Sequence, residues 1–494
     1  MPATYSSPGV YVEEVPPMSR PIAGVSTSTP GFVGVIGSTI KLPYREVDAL
    51  SWLTHKPRAA AGKAYRISSW ANYVQLFGDF VGTEYAELAT AAGVAAAAVA
   101  KTEGKSDAAI TAAAAAAKAA MLAGDDAATA AAKGAAAAKT SSGAGATETT
   151  AGAATETKET TKLLGKTGTR TTGETTGGTT ENAISAGQRN LAHAVFGFFN
   201  NGGTSCYVVR VVDEGNITAA LTTLSAIEEI SMVAAPGLVA DASHASLVSY
   251  ATGQQQFAIL DFAESKTVTE LTALTAQQLQ ASPYAAAYYP WLQVFDPAAH
   301  LQKIGDGMVM VPPSGHIAGV YARSDAARGA FKAPANEALL GVTALATNVS
   351  RDEQGVLNNK GINIIRQLNG ALRVWGARTV GGDLNGEYRY VSTRRYFNYL
   401  RQSIDSGTQF VVFEPHTPAL WQRVIRTLTD FLTNEWRSGA LFGETAKQAF
   451  FIKCDAETNP AATRDQGQLI VEIGVAIVKP AEFVIFRVQQ TSGS

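Results

Sequence analysis

The chain has 494 residues, 46% of them apolar, and its 40 Lys and Arg nearly balance 42 Asp and Glu for a net charge of −2. That length is too great for a single hydrophobic core and predicts two or three domains. The charge balance leaves no footprint for nucleic acid or an anionic membrane surface. The two cysteines, Cys206 and Cys454, lie in strand-like runs and read as buried thiols of a reducing compartment, not as a disulfide framework.

The N-terminal stretch carries a strand-forming run, Val10, Tyr11, Val12, Glu13, Glu14 and Val15, set off by Pro8, Pro16 and Pro17. It shows neither a basic region nor an apolar core of the kind that marks a secretory signal. No stretch of the chain reaches the roughly 18 apolar residues that would span a bilayer. Phe32-Val33-Gly34-Val35-Ile36 reads as a buried strand. Its glycines, Gly31, Gly34 and Gly37, do not form G-x-G-x-x-G, because Val33 stands where the second glycine is needed; close backbone packing explains them better than a dinucleotide loop.

Composition shifts near Tyr85 and returns near Gln188; residues 86–187 are mostly Ala, Thr, Gly, Lys and Glu. Alanine favours helix, so helices are expected in the first half, with breaks around Gly104, Gly124 and Gly134. Residues 140–187 lack apolar periodicity and read as loop or disorder. Gly165-Lys166-Thr167 imitates the end of a phosphate loop, but Thr160 occupies the position of the required glycine. The whole piece reads as an insertion projecting from a more ordinary α/β fold.

That fold resumes with strands at 205–212 and 257–261 and, between them, a helix at 217–230 with Leu221, Leu224, Ile227 and Ile230 at helical spacing. Ser314, His316 and either Asp296 or Asp325 supply the residue types of a nucleophile, base and orienter. No G-x-S-x-G elbow surrounds Ser314, and Pro312-Pro313-Ser314-Gly315 reads as a rigid turn. The six histidines (His55, His193, His244, His300, His316 and His416) show no H-x-x-H or H-E-x-x-H spacing, and no C-x-x-C exists. No metal, cofactor or catalytic residue is expected.

The C-terminal third predicts a helix at 394–404, a strand at 409–413 and a second helix opened by Thr417 as N-cap and Pro418. Trp421, Val424, Ile425, Leu428, Phe431, Leu432 and Trp436 share one stripe of that helix, and Gly439 ends it. Arg394, Arg395, Arg423, Arg426 and Arg437 place positive charge on these helices, either as a solvated face or as a grip on an acidic partner. A strand at 469–478 puts Leu469, Val471, Ile473, Val475 and Ile477 on one face. After Pro480, a second loose run follows, with Phe483, Val484, Ile485, Phe486 and Val488. A strand needs partners for its backbone N–H and C=O groups, so two loose terminal strands predict a subunit that adds strands to its neighbours.

Further motifs stand in order along the chain: Pro8-Gly9-Val10-Tyr11-Val12-Glu13-Glu14, Arg20-Pro21-Ile22, Phe196-Gly197-Phe198-Phe199-Asn200-Asn201-Gly202-Gly203, Tyr288-Tyr289-Pro290-Trp291 and Val311-Pro312-Pro313-Ser314-Gly315-His316. Lys332-Ala333-Pro334-Ala335-Asn336, Gly361-Ile362-Asn363, Val374-Trp375-Gly376-Ala377-Arg378-Thr379, Arg394-Arg395, Phe413-Glu414-Pro415, Gly439-Ala440-Leu441 and Pro480-Ala481-Glu482-Phe483 follow. Together they resemble the contractile sheath proteins of phage tails, R-type bacteriocins and extracellular contractile injection systems.

The resemblance implies a mixed α/β, multi-domain structural subunit and no enzyme. It implies an N-terminal linking arm (1–21), a middle domain (22–85 with 191–353), an outer Ala/Thr-rich insertion (86–190), a C-terminal core domain (354–479) and a C-terminal arm (480–494). Copies would stack as hexameric rings around an inner tube, with baseplate and terminator proteins at the ends and no nucleic acid or inserted membrane as partner. Contraction would need no nucleotide. Assembly would occur in the bacterial cytoplasm, within a phage tail or a particle released outside the cell. Arg423, Arg426 and Arg437 are the expected tube contacts. The alternatives are a static strand-linked fibre or surface-layer protein and, more remotely, an α/β hydrolase using Ser314 and His316.

Overall fold

Strand Pro30–Val35 is apolar on both faces. Phe32 joins one buried cluster with Leu191, Val195 and Phe198, and Val33 joins another with Val209, Leu221 and Leu224. A strand covered on both sides belongs inside a parallel sheet. A computed structural model, describing residues 21–46, 49–122, 127–141, 183–483 and 485, places it there.

The sheet has nine strands. From one edge to the other they are Glu337–Ala338, Ala371–Val374, Ile362–Leu368, Ala285–Tyr289, Phe257–Asp261, Met232–Ala234, Pro30–Val35, Cys206–Val211 and Ala64–Ile67. Every pairing from Ile362–Leu368 across to Cys206–Val211 is parallel, and antiparallel strands close both sides. Helices Ala186–Asn200 and Ser314–Arg328 cover one face with Leu191, Val195, Ile317 and Val320. Helices Ile217–Ser225, Asp241–Gln254 and Arg351–Asn359 cover the other with Leu221, Leu247 and Leu357. The first two helices cross so closely that a side chain on Gly315 or Gly319 would strike backbone atoms of Ala194 or Phe198.

The expected strand at 257–261 is found whole, and that at 205–212 spans Cys206–Val211. The helix expected over 217–230 stops at Ser225, where Ile227 N–H donates to Leu224 O at 3.0 Å and turns the chain; Ile230 is nonetheless buried. The sheet also runs through Val374, past the division expected between 353 and 354. Pro313 precedes a helix whose first residue is Ser314, so the expected rigid turn at 312–315 is a helix entry.

The described part of the insertion is helical: Thr83–Thr102, Asp107–Leu122 and Ala127–Ser141. Buried alanines, among them Ala89, Ala100, Ala113, Ala117, Ala130 and Ala138, form the packing faces. Gly104, with φ +69°, breaks the chain as expected. Gly134 does not: it lies inside the last helix, where an added Cβ would sit 3.0 Å from both Ala113 O and Ala96 Cβ. It is a contact glycine that lets helices approach, a role local propensity does not reveal. Gly124 and residues 142–182 lie outside the described residues.

The C-terminal unit is built on helices Val391–Gly407 and Pro418–Arg437. Thr417 caps the second, accepting from Leu420 N–H at 3.4 Å, with Pro418 in the first turn and Gly439 beyond its end at φ +85°. Its stripe is buried as expected at Trp421, Val424, Leu428, Phe431 and Leu432, with Ile425 and Trp436 half-buried. The strand expected at 409–413 is absent. Residues Gln409–Val411 form a 3-10 turn, Val411 N–H donates to Thr408 O at 2.9 Å, and Phe413 projects into solvent at φ +67°. The run has strand-forming residues but no adjacent strand, so its backbone closes on itself.

Gly134→Leu should overpack the insertion by about 1–3 kcal/mol. Hydrogen exchange should quicken across 83–141 while the nine-stranded sheet keeps its protection; uniform exchange across both would reject the contact role of Gly134.

Candidate functional site

Strands Phe450–Lys453 and Glu472–Val475 pair with each other antiparallel and form a sheet of two. The second strand continues past Val475: Phe442 N–H donates to Ala476 O at 2.7 Å and Val478 N–H to Ala440 O at 3.2 Å. Both partner segments, 440–442 and 450–453, lie along one side of 472–478. Among the described residues no strand pairs along its other side, nor along the outer side of Phe450–Lys453. Exposed, unpaired strand edges recruit strands.

Alternation aims this sheet. Ile473, Val475 and Ile477 pack beneath it against Phe431, Leu432 and Leu441, and Leu469 and Val471 against Leu420, Val424 and Leu428. The face expected for 469–478 is therefore present, although the paired strand is only Glu472–Val475. Before it, Asn459 replaces a neighbouring strand: its side-chain amide donates to Ile470 O at 2.9 Å and accepts from Ile470 N–H at 2.7 Å. On the outer face Phe451 lies opposite Gly474, covers it and is 59% exposed; Phe442 is 74% exposed.

The chain then runs to Glu482, whose carboxylate accepts from Arg378, Asn358 and Tyr390. Immediately beyond, Phe483 is 70% and Ile485 79% exposed. Of the expected arms, Val484, Phe486 and Val488 lie outside the described residues, as do Val10, Tyr11, Val12, Glu13, Glu14 and Val15.

The arginines divide. Arg426 and Arg437 are exposed. Arg423 is half-buried, pairs with Glu414 at 3.0 Å and lies over the Phe410 ring. Arg394 and Arg395 are not part of a charged outer surface, which corrects the sequence reading. Arg395 is buried, donates to Asp325 at 2.6 and 3.0 Å and to Thr27 O at 2.8 Å, and lies over Tyr321. Arg394 is buried among the rings of Tyr284, Tyr388 and Phe397. Both hold the first C-terminal helix to the rest of the molecule.

The family model for the phage tail sheath protein central domain matches residues 211–380, and that for the phage tail sheath C-terminal domain matches 383–491. Together they cover more than half of the chain. The chain belongs to the phage tail sheath protein family. It is 28% identical over 208 residues to a prophage major tail sheath protein of Pseudomonas aeruginosa, covering 41% of this chain and 50% of that one. It is 26% identical over 212 residues to the tail sheath protein of Burkholderia phage BcepMu, covering 41% and 42%. The chain thus spans half or less of the length of these relatives. Its fold matches the sheath complex of the extracellular contractile injection system PVC in its contracted state, with a TM-score of 0.61 at 24% identity over 99% of both chains. It also matches the contracted helical sheath of the anti-feeding prophage, with a TM-score of 0.60 at 23% identity over 99% of this chain and 100% of that one.

In this tail sheath protein the hydrolytic candidates are scattered. Ser314 N–H and Oγ both donate to Asp261, at 2.9 and 2.6 Å. Asp296 pairs with buried His193 at 3.1 Å, and Asp325 is held by Arg395. His316 is packed against Gly197, and burial, helped by His193, lowers its pKa to about 3. No nucleophile–base–acid relay forms among them. Sequence reasoning missed the polar joints Arg395–Asp325 and Arg378–Glu482, although Arg378, Arg395 and Glu482 each lie in a segment that resembles the sheath family.

Burial pushes the Asp261 carboxyl up to about 6, opposed by donors from Ser314 and Gly237. A carboxyl raised on folding stabilises below its unfolded value and loses that contribution as pH climbs through 6. Ser314→Ala removes a donor to the ionised form. It should therefore cost about 1–3 kcal/mol in urea unfolding at pH 7 and less at pH 5; an equal loss at both would contradict this role.

Proposed function

We propose that this chain is the structural subunit of a contractile sheath, polymerising as stacked hexameric rings around an inner tube and contracting without nucleotide. The observation that carries the reading is the two-stranded sheet, apolar beneath and unpaired at both edges among the described residues, in a chain with strand-forming runs at 10–15 and 483–488. Family membership and the likeness to sheaths solved in the contracted state support it.

The N-terminal run (Val10–Val15 by position) and the C-terminal run (Phe483, Val484, Ile485, Phe486 and Val488) add as strands to the open sheets of neighbouring copies. Each shared backbone hydrogen bond contributes only about 0.5–1.5 kcal/mol, but an arm makes several and many copies act together. The flanking prolines narrow the arm's conformations and lower the cost of ordering it. Contraction is a two-state repacking: nearly rigid domains exchange one set of contacts for another while the arms keep the copies tethered. The C-terminal unit lines the inside, where Arg423, Arg426 and Arg437 meet an acidic tube; the middle domain lies outside it and the helical insertion outermost. A baseplate and a terminator complete the particle, a phage tail or a released extracellular device assembled in the bacterial cytoplasm.

Deleting residues 1–15 should yield folded subunits that do not polymerise; electron micrographs showing normal sheaths would overturn the linking role. Reversing charge at Arg423 and Arg426 should weaken co-assembly with the tube and do so more at low salt, since exposed charges are screened. Unchanged co-assembly at all salt concentrations would remove these residues from the interface.

A further inference from the structure

The last described turn of the chain is held by polar contacts where an apolar anchor would be expected. Glu482 Oε1 accepts from Asn358 Nδ2 at 2.7 Å and Arg378 Nε at 2.9 Å. Its Oε2 accepts from Arg378 Nη2 at 2.8 Å and the Tyr390 hydroxyl at 3.0 Å. Paired nitrogens of one guanidinium meeting both carboxylate oxygens fix direction as well as distance.

The socket is itself preset. Asn363, buried in strand Ile362–Leu368, accepts from Arg378 N–H and donates to Arg378 O, both at 2.8 Å. The guanidinium also donates to Asn358 O and to Asp383, each at 3.3 Å. Asn358 lies in the last turn of the helix Arg351–Asn359, and Tyr390 precedes the helix Val391–Gly407. The central sheet and both flanking helices thus converge on one glutamate. Burial alone would raise its pKa, but Arg378, Asn358 and Tyr390 hold it below the usual carboxylate range.

The next described side chains, Phe483 and Ile485, are apolar and mostly exposed. A strong polar anchor directly before outward apolar side chains contributes little to this chain's own core. Its effect is to fix where the arm departs.

We propose that the Glu482–Arg378 clasp is a positioning device that aims the C-terminal arm, presenting Phe483 and Ile485 to a second copy of this chain. This rests on the sheath reading above. Without the clasp the arm swivels about the 478–481 segment, and its effective concentration at the neighbouring sheet falls. Glu482 positions the arm; it is not proposed to touch the neighbour.

The test uses the full chain with Glu482→Ala and the size-conserving Glu482→Gln. Hydrogen exchange on unassembled subunits should quicken at Val478, whose N–H donates to Ala440 O at the arm's root, and nowhere in the central sheet. The concentration needed for polymerisation should rise about tenfold or more for the alanine variant, with the glutamine variant between it and the parent. Unchanged local exchange would overturn the clasp, and so would quickened exchange with unaltered polymerisation. If the unsubstituted chain forms no polymer at all, the sheath reading fails instead, while the exchange result still decides whether Glu482 holds the arm's root.

Discussion

Backbone hydrogen bonding at the small C-terminal sheet is the constraint on which the rest turns. Among the described residues, 472–478 have partners along one side only, and Phe450–Lys453 has the same deficit on its outer side. Water can satisfy those groups in a free subunit. Yet a flat apolar base of Ile473, Val475 and Ile477 already holds the strands in register, so an incoming strand meets an ordered template. The ordering cost then falls mainly on the arriving arm.

Holding that template in place requires joints that do not slip. The first C-terminal helix is tied to the central unit by Arg395 against Asp325 and Thr27, and by Arg394 among three rings. The last segment is tied by Glu482 to Arg378. Removing one member of a buried charged pair leaves the other uncompensated, which costs about 3–5 kcal/mol. Such joints are directional, whereas an apolar seam of equal area would allow sliding. In the contractile reading proposed above, bodies that move as units between two polymer states need this rigidity.

What was legible in the sequence follows from what is local. Phe257–Asp261 opens with four apolar residues in a row and is readable as a strand. Thr417, Pro418 and Gly439 bound a helix by their own backbone chemistry. The alternation from Leu469 to Ile477 identified the buried face, but could not reveal that Asn459 substitutes for a strand at Ile470. Residues 409–413 carried strand propensity and found no neighbour. The burial of Arg395 was illegible because its partner is distant: Asp325 lies 70 positions away, just as Glu482 lies 104 from Arg378. Gly134 likewise has its reason on other helices.

The large sheet and the small C-terminal sheet differ at their edges. The large sheet ends in Ala64–Ile67 on one side and the two-residue Glu337–Ala338 on the other. Short edge strands offer few free backbone groups, which discourages uncontrolled pairing. Lys332 and Arg323 also bracket Glu337 at that edge, adding charge that an invading apolar strand would have to desolvate. Two further sheets, a hairpin of Ile40–Glu46 with Ala49–His55 and a three-stranded sheet of Met308–Val311, Leu292–Phe295 and Ala344–Leu345, pack beside the large one. The C-terminal pair differs from the large sheet in its exposed outer aromatics, Phe442 and Phe451, over an apolar base.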